Sequence, residues 1–173
     1  PHGADVMVLP LASGLILSPL IFADALLGWN VATIILVFGS VLATAWLAKT
    51  MSDSWLSGLL AGSVLLAQPM LHHALADGTA EHVALWAVPL FIGASWIALN
   101  EQSPKWGIGA GLFSIVVALD SPYHGLYALV LGATTLPFAL RTVKGRESDL
   151  YKAVAAMAVA ALIGVGFERT IAK

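Results

Sequence analysis

The sequence predicts an all-α, polytopic transmembrane helical bundle with short interfacial or re-entrant helices at its N-terminal end. Three observations predict it. Of 173 residues, 59% are hydrophobic and 10% are charged, with 16 Gly besides, whereas a soluble domain carries roughly 25% charged residues. Mean hydropathy is +0.88, and the apolar residues lie in runs long enough to cross about 30 Å of hydrocarbon. The basic residues of the connecting loops all fall on one side of an alternating topology. Too little charge is present to cover a soluble globule. That excludes a soluble enzyme and a disordered tail, and the lack of a basic patch excludes a nucleic-acid partner. With no cysteine, disulfides and thiolate metal sites are excluded as well.

The elements follow in order. Residues 1–28 read as an outer interfacial region, because Pro10, Pro19 and Asp24 interrupt the apolar stretch 6–27. Membrane helices are predicted over 30–48, 55–71, 80–99, 105–119, 122–140 and 149–167, forming one transmembrane domain over 1–173. The opening at Pro1, without a charged n-region, holds no signal peptide and reads as a piece of a longer polytopic protein. Lys49, Lys105, Arg141, Lys144, Arg146 and Lys152 make their loops cytoplasmic. Trp29, Trp46, Trp55, Trp106 and Tyr151 stand at segment ends as interfacial anchors. Gly58-x-x-x-Gly62 and Gly107-x-x-x-Gly111 permit close helix contact.

This orientation puts all five histidines outside: His2, His72, His73, His82 and His124. Asp5, Asp24, Asp77, Glu81 and Asp120 join them. Thr79 and Ser121 read as N-caps of inward-running helices, with His82 and His124 in the first turns and Pro122 and Tyr123 beside the second. Helix N-termini bind phosphate, so His82, His124 and Tyr123 are candidate phosphate ligands. Asp77, Glu81 and Asp120 are candidates for a divalent cation such as Mg or Mn. Each acid has a plainer role too. Asp77 and Glu81 could complement a helix dipole, Asp24 could cap a helix, and His72-His73 could be merely solvated. Asp120 follows the apolar run LFSIVVAL, at or just below the interface, where a charge is costly and usually functional. No HExxH motif and no Gly-rich phosphate loop occur.

Several stretches resemble a known family. Pro1-His2-Gly3-Ala4-Asp5 resembles a "P-x-G-x-D" stretch, and Leu27-Gly28-Trp29-Asn30 resembles the "a-Y-N" that starts the next helix. Residues 80–90, from Ala80-Glu81-His82 to Trp86-Ala87-Val88-Pro89-Leu90, resemble "GH-x-x-x-x-x-W-x-P-L". Asp120-Ser121-Pro122-Tyr123-His124-Gly125-Leu126-Tyr127 resembles "s-D-x-Y-Y-x-x-y". Together they resemble bacterial GT-C type glycosyltransferases, polytopic enzymes that use lipid-phosphate-linked sugars. The resemblance covers most of residues 1–140. It implies sugar transfer from a polyprenyl-phosphate donor on the extracytoplasmic face of an inner membrane, with Asp5 as the matching catalytic acid. It also implies membrane lipid and the remainder of a parent chain as partners. Two other readings stand beside it: a transporter or channel module, and a non-catalytic structural piece of a larger membrane protein.

Overall fold

The computed structural model describes residues 11–77, 83–101, 103–121, 124–126 and 130. Among them every regular element is helical. The order is α1 (Leu11–Ala23), α2 (Ala25–Ser52), α3 (Trp55–Leu66), α4 (Pro69–Asp77), α5 (Ala87–Asn100) and α6 (Pro104–Asp120). The predicted segment over 149–167, and most of that over 122–140, lie outside the described residues.

α1 is the short helix expected before the first long one. Pro19 lies inside it and has no N–H for the Leu15 carbonyl. The Ser18 hydroxyl donates to that carbonyl instead, at 2.9 Å. Asp24 then ends α1 and caps α2. Its backbone is extended, and its carboxylate accepts the Leu27 N–H at 2.9 Å. This cap starts α2 before the predicted position 30. α2 ends at Asp53, in the left-handed region with φ 52°. At about 42 Å, α2 is the one described helix long and apolar enough on its own to cross a membrane.

Two predicted segments need correction, and proline is the reason in both. The run 55–71 is not one helix. It divides into α3 and α4, which meet at a 47° bend. Pro69 cannot donate to the Leu65 carbonyl and would clash with it in a continuous helix. The segment predicted to run unbroken over 80–99 is broken at 83–86, and α5 begins at Ala87 with Trp86 at its N-cap position. Pro89 is tolerated in a first turn, where its N–H would have no partner anyway. Residues 83–86 therefore lie outside any helix, and Thr79 lies outside the described residues. By contrast, α6 matches its predicted span to a residue at each end, starting after Ser103 with Pro104 in its first turn.

Small residues set the packing. Gly28, Ala32, Leu36, Ser40 and Ala43 form the buried side of α2, a spacing that keeps them on one face. A side chain at Gly28 would collide with the Leu20 backbone, so α1 folds back along the first half of α2. At Gly58 a Cβ would stand 2.7 Å from the Ala45 carbonyl oxygen, and Gly62 faces Val41. The first glycine pair thus does bring α3 antiparallel against the second half of α2, and Gly107 and Gly111 are buried on α6. α5 runs parallel to α2, with Trp86 beside Gly39 and Gly93 beside Trp46.

Trp46 has a larger role than anchoring. Its ring fills the space over Gly93 and stacks on Trp106, with centroids 6.2 Å apart. Lys49 lies nearby, 5.8 Å above the Trp55 ring and 3.6 Å from Asp53.

Candidate functional site

The first described turn of α1, the start of α5 and the end of α6 meet on one serine. Ser13 donates its backbone N–H to Oδ1 of Asp120 at 2.8 Å and its hydroxyl to Oδ2 at 2.7 Å. Trp86 Nε1 donates to the Ser13 hydroxyl oxygen at 3.0 Å. Ser13 and Asp120 are buried, at 1% and 6% exposure, and Trp86 is half-buried. A carboxylate removed from solvent is costly unless donors saturate it, and here both oxygens are engaged. The negative end also complements the positive pole of α1.

A second serine supports the junction. The Ser40 hydroxyl, in the middle of α2, lies 2.8 Å from the Leu36 carbonyl oxygen and 2.9 Å from that of Val83. It accepts the Leu85 N–H at 3.0 Å. Backbone groups of the non-helical stretch 83–86 thus find partners on α2, as buried backbone must. Because Trp86 is beside Gly39 and holds Ser13, the Asp120 carboxylate lies along the body of α2. α1 and the first half of α2 continue together past the end of α6.

Asp120 is the predicted site residue with the densest surroundings. His124 follows one turn later. Ser121 between them has extended backbone and accepts the Gly125 N–H at 3.0 Å, the backbone form of an N-cap. Asp77 sits elsewhere, on α4, where its Oδ2 is 2.8 Å from His73 Nδ1 and both side chains are exposed. Among the described residues no three His, Asp or Glu side chains gather as a metal site would require. Asp5, Glu81, His82 and Tyr123 lie outside the described residues.

Sequence reasoning missed Ser13, Ser40 and Trp86. Only Trp86 carried a signal, as the tryptophan of the stretch 80–90. No family model, curated protein or solved structure matches this chain.

Proposed function

We propose that the chain is the membrane-embedded bundle of a GT-C type glycosyltransferase. The observation that carries this reading is the meeting of Trp86 and Asp120 on Ser13. These two residues belong to the two longest stretches on which the family resemblance rests, 80–90 and 120–127, and a shared site would require those stretches to be neighbours.

A membrane setting is supported by α2, whose most apolar stretch is only 22% buried. The core helix of a soluble protein would be mostly covered. Leu15, Ile16 and Phe22 on α1 and Leu56, Leu59 and Leu60 on α3 are exposed as well, as lipid-facing residues are. The basic loops orient the histidine-bearing face to the extracytoplasmic side of a bacterial inner membrane.

In this reaction Asp5 takes the proton of the acceptor hydroxyl, whose oxygen bonds to the anomeric carbon of the sugar. The bond from that carbon to the phosphate oxygen breaks, and the electron pair leaves with the polyprenyl phosphate. His82, His124 and Tyr123 bind that phosphate. Mg or Mn, held by Asp77 and Glu81 or by Asp120, would balance its charge. The test is binding of a labelled polyprenyl-phosphate sugar by the whole protein in proteoliposomes. His82→Ala and His124→Ala together should weaken it about a hundredfold, the loss of two charge-assisted hydrogen bonds at about 1.5 kcal/mol each. Unchanged affinity overturns the assignment.

A transporter module is the second reading. It is favoured by a buried carboxylate where helix ends meet alongside a long apolar helix. Solute flux that depends on Asp120, without sugar transfer, would select it.

A further inference from the structure

α1 is joined to the molecule by little apolar surface. Its buried side chains among the described residues are Ala12, Ser13 and Leu17, one narrow stripe. Leu15, Ile16 and Phe22 are exposed. In a bilayer, lipid tails are as apolar as leucine, so such a stripe gives no hydrophobic drive to docking. What fixes the start of α1 is the pair of bonds from Ser13 to Asp120, with Trp86 behind them. At its other end α1 stops at Asp24, a single extended residue before α2.

Beneath α1 lies the non-helical stretch 83–86. Val83 and Ala84 are 1% and 2% exposed, in one cluster with Leu17 of α1, Leu71 and Ala74 of α4, and Ala32 and Leu36 of α2. A stretch of irregular backbone inside a membrane protein is tolerated where protein covers it or where it lines a water-filled cavity. Among the described residues, α1 contributes Leu17 to the cover of this stretch, beside the side chains of α2 and α4.

We propose that α1 is a lid over residues 83–86, hinged at Asp24 and latched by the Asp120 carboxylate through Ser13. Weakening the latch lets the start of α1 swing away and brings water to Val83. The lid goes beyond sugar transfer and does not depend on it.

The chain has no cysteine, so single thiols can be read without background. Val83→Cys and Ala98→Cys, each in the full chain in proteoliposomes, are treated with N-ethylmaleimide. The thiolate is the reacting species and forms only where water reaches it. Ala98, on α5 away from α1, is fully buried and reports opening of the bundle as a whole. With Asp120 intact, both thiols should react slowly. Asp120→Asn keeps the side-chain volume but cannot accept from both Ser13 donors. It should speed labelling at position 83 at least tenfold and leave position 98 protected. Equal protection of position 83 in both backgrounds overturns the lid. So does a matching rise at position 98, which would make Asp120 a support of the entire fold. If Asp120→Asn fails to fold, Ser13→Ala carries the test. It removes the hydroxyl and keeps the backbone bond, so a smaller rise confined to position 83 sustains the latch and no rise overturns it.

Discussion

Ser13 and Asp120 stand 107 positions apart, and Ser13 satisfies both carboxylate oxygens of Asp120 at 2.8 and 2.7 Å. The same hydroxyl oxygen receives the Trp86 indole N–H. One small side chain thus joins three helix ends. Ser13→Ala would leave Asp120 Oδ2 and Trp86 Nε1 without their partner, and a buried polar group so stranded costs about 1–3 kcal/mol. A loss of about 2 kcal/mol in unfolding free energy, measured in detergent micelles, is therefore expected. Ser114→Ala is the control, because Ser114 donates only to the Gly111 carbonyl of its own helix, where no proline removes that carbonyl's helical donor. It should change stability by less than about 0.5 kcal/mol.

Glycine substitutions separate close helix contact from helix propensity. At Gly28 the obstacle to a Cβ is the Leu20 backbone, which cannot rotate away as a side chain could. Gly28→Ala should push α1 from α2 and destabilise by about 1–3 kcal/mol. Gly109, on α6, has nothing within 4 Å of its Cβ position. Gly109→Ala should therefore stabilise by about 0.5–1 kcal/mol, the entropic cost of a helical glycine. Opposite signs in unfolding curves check both.

The helix bounds were legible where a start signal was sharp. Ser103-Pro104 opens α6 and Asp120 closes it, close to the predicted 105–119. Hydropathy misled where apolar runs contain a proline. Both 55–71 and 80–99 look continuous, yet Pro69 and Pro89 fix where α4 and α5 begin. Asp120 was legible because a carboxylate after a long apolar run is rare. Its partner was not. Ser18, Ser52 and Ser114 bond carbonyls of their own helices, while Ser13 and Ser40 reach distant elements. In sequence all five are serines in or beside apolar helices. The difference lies in which face each turns to a neighbour, and that depends on packing.

Ser40 gives the next prediction. Its hydroxyl serves the Val83 carbonyl and the Leu85 N–H, both in the non-helical stretch before α5. Ser40→Ala would remove this partner from both and leave them only their bond to each other, Leu85 N–H to the Val83 carbonyl at 2.9 Å, and should cost about 1 kcal/mol. Amide hydrogen exchange at Leu85 should accelerate more than at Ala94, which is buried inside α5 and keeps its helical bond. Equal acceleration at both sites would mean that Ser40 supports α2 packing as a whole.

The contact of Trp46 with Gly93 allows a sharper experiment, because the two residues must be read together. The indole occupies the place a Cβ at Gly93 would need, and its ring stacks on Trp106. Trp46→Ala opens a cavity between α2, α5 and α6, and large-to-small changes of an aromatic cost about 3–5 kcal/mol when fully buried. Trp46 is half-buried, so about 2 kcal/mol is expected. Gly93→Ala forces the ring out of place and should cost about 1–3 kcal/mol, although alanine favours the helix. In the double variant the ring is gone, so the added methyl meets no obstacle and fills part of the cavity. The two losses should then fall short of additivity by at least about 1 kcal/mol. Additive losses would show that Gly93 is needed for something other than room for Trp46, and the packing of α5 on α2 would need another explanation.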